Sequence, residues 1–188
     1  TVSDSQYVPS SIPFELFQNA DDATEELRSL HTTPFGDRFV VLKSEDRLTF
    51  IHWGRRINLH RIGGFANPKF AKDLENMLIM HASDKASEDD EPVTGKFGLG
   101  FKSVFLLSRN PRVLSGTVGF EVIGGVYPRL LSPEIRDDLI SRVNNYDLDH
   151  RHATIIDLPL DDVEPELISQ VVESFESVAP VLHAFSRA

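Results

Sequence analysis

Cysteine, an excess of positive charge and long apolar runs are all missing from this sequence, and each absence excludes a class of function. Without cysteine, the chain forms no disulfide framework and no thiolate site. The 19 Lys and Arg residues are outnumbered by 29 Asp and Glu residues, for a net charge of −10, which argues against a general grip on nucleic-acid phosphates. No run approaches the roughly 18 apolar residues of a membrane-spanning helix. We therefore expect a soluble intracellular protein, cytoplasmic or nuclear, that contacts no membrane.

The material for a hydrophobic core is nevertheless present. The chain has 188 residues, of which 40% are hydrophobic and 13 are phenylalanine, enough for one domain to bury about 70% of its unfolded surface. We expect a single domain over residues 1–188, with a core over about 10–160 and a packing helix over 161–188. Because position 1 is Thr rather than Met, we expect a piece of a longer polypeptide.

Helical and strand patterns alternate along the chain. Apolar residues recur every three or four positions from Leu16 to Leu30 and from Ile168 to Phe185, as on the buried face of a helix. Short β-type runs separated by polar or glycine turns indicate two antiparallel hairpins, over residues 39–51 and 113–123. Further helices are predicted over 70–82, from 104 and over 133–143, and a strand over 153–158. This order predicts an α+β fold, a two-layer sandwich in which a mixed, mostly antiparallel sheet carries helices on one face.

A polar stripe follows the border of the first helix. Glu15, Asn19, Asp22 and Glu26 are separated by four, three and four positions, so they share one side of the helix. Asparagine is a modest helix former, which suggests that its side chain has a function there. Carboxylate and amide oxygens are ligands that Mg²⁺ prefers, usually together with substrate phosphates. The alternative is an ordinary solvated helix side.

A glycine-rich segment offers a place for those phosphates. It reads Gly95, Lys96, Phe97, Gly98, Leu99, Gly100, Phe101, Lys102, Ser103. Its glycines let backbone N–H groups approach an anion, and Lys102 adds a positive charge. The segment is not a Walker A loop because Phe101 stands before Lys102, and it is not a dinucleotide fingerprint because Ser103 replaces the third glycine. Taken alone, the segment is equally consistent with a flexible loop.

Together the two motifs resemble those of the GHKL ATPase superfamily, named for gyrase, heat-shock chaperones, histidine kinases and MutL. The run from Glu15 to Ala23, ELFQNADDA, resembles its helix motif E-x-x-x-N-A-x-D-A. The run from Gly95 to Ser103, GKFGLGFKS, resembles its second glycine box, and both are especially similar to the sacsin-like branch. The resemblance covers residues 12–160 and implies a Bergerat-fold ATP-binding domain.

The resemblance implies a role for each matching residue. It assigns Asn19 to Mg²⁺ on the ATP phosphates, Glu15 to activation of the hydrolytic water, and Asp22 to the nucleotide pocket. Backbone N–H groups of the segment from Gly95 to Ser103 would bind the phosphates, and residues 83–94 would form a lid. Thr154 matches a strand position that contributes a hydroxyl near the base.

The first glycine box departs from the family pattern. Where the family commonly carries Asp-x-Gly-x-Gly, this chain has His52 in place of the Asp, keeps Gly54, and has Arg56 in place of the second Gly. A neutral His52 could accept one hydrogen bond from the base through a ring nitrogen, whereas a protonated one could not. The alternative is that His52 is a packing residue. Ala153 also replaces a family glycine beside Thr154.

These motifs lead to an expected function. The resemblance implies Mg²⁺-dependent binding and slow hydrolysis of ATP to ADP and phosphate, as a conformational switch for a larger chaperone-like protein. The partners implied are the nucleotide, other domains of the same polypeptide and, in an ATP-dependent dimer, a second copy. Two alternatives stay open: a nucleotide-binding interaction module without hydrolysis, and the ATPase module of a DNA-handling protein whose nucleic-acid contacts lie outside this acidic domain.

Two other clusters have simpler interpretations. His150 and His152 lack nearby cysteine partners in sequence, so we interpret them as a surface loop and assign no metal there. Arg55, Arg56 and Arg61 form a small basic group that we interpret as a solvated loop; the alternative is a contact with phosphates or a partner domain.

Overall fold

The computed structural model describes residues 8–34, 36, 38–82, 99–145, 149–161 and 163–185, with the backbone alone for 78–82, 99–100 and 180–185. The α-helices are α1 (Ile12–Ser29), α2 (Asp73–Ala82), α3 (Leu99–Lys102), α4 (Pro133–Asn144) and α5 (Pro165–Phe185). The strands are β1 (Phe39–Lys43), β2 (Arg47–His52), β3 (Arg61–Ile62), β4 (Phe65–Ala66), β5 (Arg112–Ser115), β6 (Val118–Ile123), β7 (Tyr127–Leu130) and β8 (Thr154–Pro159). Among the helices so described, none is both long and apolar enough to cross a membrane.

Six strands form one antiparallel sheet in the order β1-β2-β8-β5-β6-β7. The two predicted hairpins, β1–β2 and β5–β6, are present, and β8 is inserted between them. All six residues of β8 are buried, as befits a strand that pairs on both edges. The predicted α+β sandwich is confirmed.

The larger core lies between one face of the sheet and the helices α1 and α5. The α1 residues Ile12 and Leu16 and the α5 residues Ile168 and Val171 pack with the sheet residue Phe50. The apolar face predicted for α1, from Leu16 to Leu30, is buried throughout. Because this face fixes the rotation of α1, the polar border that contains Asn19 lies beside the core.

The opposite face of the sheet is covered by α4. Leu139 and Val143 of α4 pack with the sheet residues Ile51, Leu114 and Ile155, and Arg47 of β2 bonds Asp138 of α4 at 2.7 Å. The prediction that helices lie on one face alone is therefore wrong for α4. Its weak apolar pattern, with two fully buried residues, gave no indication of which face it would cover.

Two other elements differ from the sequence prediction. The short helix expected from Val104 begins at Leu99 as α3 and continues as a 3₁₀ turn over Ser103–Leu106. The edge strand β7 was not predicted; it follows a turn in which Gly124 and Gly125 have φ of 60° and 74°, a conformation that favours glycine. All four residues of β7 are exposed, so it carries no alternating pattern that a sequence could reveal.

Candidate functional site

A small cavity lies between α1, α2, α3 and the sheet, and it brings together residues from both motifs. Its volume is about 20 Å³, room for about one water molecule. Its lining residues are Asn19, His52, Arg55, Ile57, Met77, Phe101, Val113, Thr154 and Ile156. Four of these were predicted as site residues: Asn19, His52, Phe101 and Thr154.

The polar border of α1 meets the cavity at Asn19. Glu15 precedes Asn19 by one helical turn and Asp22 follows it by about one turn; all three side chains are half-buried. Glu15 and Asp22 are not among the lining residues. Within the described part of the chain, neither the Glu15 carboxylate nor the Asn19 amide has a hydrogen-bond partner, so both retain unused oxygen acceptors.

His52 ends strand β2 and faces the cavity with one ring nitrogen already engaged. It is 5% exposed, and its Nδ1 accepts a hydrogen bond from the Gly54 N–H at 3.2 Å. Burial lowers the pKa of His52 from 6.5 to about 4, so the ring is neutral near pH 7. A neutral imidazole whose Nδ1 accepts carries its hydrogen on Nε2. His52 is therefore a donor toward further partners and cannot accept a second hydrogen bond in the ring plane.

Thr154 lies opposite His52 in the β2–β8 register and is joined to a residue that the sequence did not suggest. Its Oγ1 lies 2.6 Å from Oγ of Ser115, and Ser115 Oγ accepts the Ile57 N–H at 3.0 Å. Both hydroxyls are buried. In the sequence, Ser115 could have been recognised only as a single serine at the end of the apolar strand β5, just before the turn glycine Gly116.

Arg55 is buried, so its interpretation as part of a solvated loop is wrong. It is 1% exposed, and its guanidinium bonds both oxygens of Asp73, at 2.6 and 3.0 Å, and Glu26 Oε2, at 3.0 and 2.8 Å. The Phe70 ring stacks 3.8 Å from it. Arg61, in contrast, is exposed and Arg56 half-buried. Glu26, the fourth residue of the polar stripe on α1, thus holds Arg55 in place. Burial raises the pKa of Glu26, and the charge of Arg55 opposes that rise.

Gly54 has a packing role beside its predicted nucleotide contact. A Cβ at this position would lie 2.8 Å from the backbone carbon of Ala23 and 2.8 Å from the Thr24 nitrogen. The next residue, Arg55, donates its N–H to the Ala23 carbonyl at 2.7 Å. Glycine thus allows the loop after β2 to lie directly on α1. A contact between Gly54 and a nucleotide stays a prediction.

The structure describes only the second half of the glycine-rich segment. Gly95, Lys96, Phe97 and Gly98 lie outside the described residues, as does the predicted lid over 83–94. Leu99 and Gly100 begin α3, which packs against α1. Phe101 is buried and lines the cavity, whereas Ser103 is buried and Lys102 half-buried without being lining residues. The helix motif and the end of the glycine segment therefore meet at one cavity.

The donors at this cavity suit a magnesium nucleotide in chemistry but not in volume. The Asn19 amide oxygen is a hard ligand of the kind that Mg²⁺ takes, with phosphates and water completing the coordination. Ligand pockets usually measure about 300–1,000 Å³, far more than this cavity encloses. His150 and His152 bond Asn144 and Asp149 respectively, away from the cavity. No protein-family model matches this chain, and no match was found among curated proteins.

Proposed function

We propose that this domain binds ATP with Mg²⁺ at the cavity beside Asn19, hydrolyses it slowly, and acts as a conformational switch for a larger chaperone-like protein. One observation carries the proposal: Asn19, His52, Phe101 and Thr154 line one cavity, although they come from four distant segments of the chain. The resemblance assigns those same segments to one nucleotide site.

Two side chains of α1 have different roles in this proposal, Asn19 in binding the metal ion and Glu15 in activating water. Bound Mg²⁺ would neutralise phosphate charge, and the Asn19 amide oxygen would hold it. Glu15, one turn away on α1, has a carboxylate with no hydrogen-bond partner in the described structure. Such a carboxylate can orient a water molecule and accept its proton at Oε.

The small volume of the cavity supports a switch. Because the cavity encloses only about 20 Å³, we expect nucleotide binding to widen it between α1, α3 and the sheet. A ligand that binds only the open arrangement shifts the population toward it. Nucleotide occupancy would then change how α3 packs against α1, and the domain could transmit that change to the rest of the polypeptide.

Titration calorimetry of the full chain with ATP tests the binding step. We expect Asn19→Ala to weaken binding at least about tenfold when Mg²⁺ is present, and to have little effect in EDTA. Gln18→Ala is the matched control, because Gln18 is the exposed neighbour on the same helix. Unchanged Mg-ATP affinity in Asn19→Ala would refute the assignment.

Phosphate release tests the hydrolysis step. We expect Glu15→Gln to bind Mg-ATP normally and to lose about 10²-fold or more of the turnover, the range for a general base. Glu25→Gln, exposed on the same helix, should retain full turnover. Equal turnover in Glu15→Gln and the parent would exclude Glu15 as the base. Tight binding without any turnover in the parent would favour a non-hydrolysing module.

A further inference from the structure

The hydrogen-bonding state of His52 bears on which base the cavity accepts, given the nucleotide site proposed above. Gly54 N–H occupies the Nδ1 acceptor at 3.2 Å, so the hydrogen of the neutral ring is on Nε2. Within the described structure Nε2 has no partner, although His52 is 5% exposed and lines the cavity. The Nε2–H borders this cavity, and a ligand that covers it without offering an acceptor would leave a costly unsatisfied donor. It therefore favours any ligand that brings an acceptor to it.

The surroundings of His52 suit a flat heterocycle better than a phosphate. Ile57, Met77, Val113 and Ile156 form an apolar wall. The one cationic group in the described lining, Arg55, is neutralised by direct bonds to Glu26 and Asp73. A phosphate here would be desolvated without a matching charge, whereas a ring would bury apolar area. The His52 end of the cavity is thus its base end.

We propose that His52 Nε2–H donates to a carbonyl oxygen of the base, so that the site prefers 6-oxopurine nucleotides, those of hypoxanthine and guanine, to the 6-aminopurine nucleotide ATP. The exocyclic group of adenine is itself a donor, and two donors facing each other leave both unsatisfied. The hydroxyl of Thr154, which lines the cavity, can rotate to donate or accept, so it adapts to either base. His52, fixed by Gly54, is the group that discriminates.

Calorimetry with four nucleotides that differ at the purine ring tests this preference. With Mg²⁺ present, we expect ITP to bind about tenfold more tightly than ATP, which is the value of about one hydrogen bond satisfied in place of one left unmade. Purine riboside triphosphate, which lacks any group at C6, should lie between them. GTP should bind about as tightly as ITP if the cavity accommodates its 2-amino group. ATP binding equally with or more tightly than ITP would overturn the inference.

A His52→Gln variant and nitrogen NMR provide independent readouts. Because a glutamine amide can present either its N–H or its oxygen, we expect the ratio of ITP to ATP affinity to fall toward one in His52→Gln. In the parent, the ¹⁵N signals absent from His52→Gln should report an Nε2-protonated neutral ring at pH 7. An Nδ1-protonated ring, whose Nε2 accepts rather than donates, would refute the donor assignment. The nucleotide series above uses the parent alone, so it keeps the preference testable if the variant fails to fold.

The outcomes separate this inference from the proposed function on which it rests. If all four nucleotides bind and ATP binds best, only the base preference is wrong. If none binds at millimolar concentration, both the preference and the nucleotide site are wrong. Affinity that follows the 6-oxo group and disappears in Asn19→Ala with Mg²⁺ supports both.

Discussion

At the scale of single residues, the fold determines the protonation state and the tautomer of His52. This residue closes β2 opposite Thr154 and is almost fully buried. Burial lowers its pKa to about 4, while the Gly54 N–H fixes which nitrogen carries the hydrogen. The sequence identified the position through its departure from a motif, but the proton's location depends on a contact two residues away that only the fold reveals.

The shifted pKa of His52 predicts a pH dependence of folding. Between pH 6.5 and about 4 the unfolded chain protonates this histidine and the folded chain does not, so stability falls as the pH falls through that window. The loss is about 3 kcal/mol, at about 1.4 kcal/mol per pKa unit. Urea unfolding of the parent and His52→Gln at several pH values measures it.

The difference in unfolding free energy between the parent and His52→Gln gives the contribution of His52 alone, because the carboxylates titrate alike in both proteins. We expect the parent to lose more stability than His52→Gln on going from pH 7 to pH 4. Parallel pH profiles for the two proteins would show that His52 titrates normally in the folded state.

Gly54 predicts a steric effect on stability. An added Cβ would meet backbone atoms of α1 at 2.8 Å, and backbone atoms cannot move aside without disturbing the helix. We expect Gly54→Ala to lower the unfolding free energy by about 1–3 kcal/mol, measured by urea denaturation. Gly64→Ala is the control because nothing lies within 4 Å of its Cβ position; its effect should stay within about 0.5 kcal/mol. Equal stability of the two variants would contradict the close approach.

At the scale of elements, Arg55 fastens α1 to the start of α2. Its guanidinium bonds Glu26 of α1 and Asp73, the first residue of α2. Asp73 in turn accepts the Asn58 N–H at 2.7 Å, so the loop after β2 is held as well. This arrangement fixes two walls of the cavity relative to each other.

Removing the Arg55 charge should therefore leave two carboxylates unpaired. We expect Arg55→Met to cost about 3–5 kcal/mol of stability, and a double variant that also carries Asp73→Asn to recover part of the loss. Arg28→Met, which breaks an exposed pair with Glu25 on α1, should cost less than about 1 kcal/mol. Chemical denaturation of the variants measures these values. A small loss in Arg55→Met would show that the cluster contributes little to holding α1 and α2 together.

The elements also show how far sequence reasoning extends. Periodicity located α1 because one side of the helix is buried and the other exposed, and the hairpins were located by short β-type runs separated by polar or glycine turns. It could not assign α4 to a face, since Leu139 and Val143 fit either side of a sheet. It placed Arg55 in solvent because local sequence does not reveal partners 18 and 29 positions away. Ser115 was missed for the same reason: its partner Thr154 joins it only when β8 pairs with β5.

At the scale of the whole molecule, the sheet is covered on both faces and the cavity lies on the α1 face. The larger core joins α1, α5 and the sheet, while α4 covers the other face. The cavity is bordered by α3, a helix of four residues, which is the smallest unit in its wall. We therefore expect α3 rather than α1 to move when a nucleotide enters.

A crystal structure of the full chain with Mg²⁺ and a non-hydrolysable triphosphate would show whether Asn19 and α3 share a nucleotide. We expect a triphosphate between α1 and α3, the Asn19 amide oxygen about 2.1 Å from Mg²⁺, and the base against His52 and Thr154. Ordered nucleotide at another surface, with the cavity still near 20 Å³ and Asn19 remote from the metal, would contradict it.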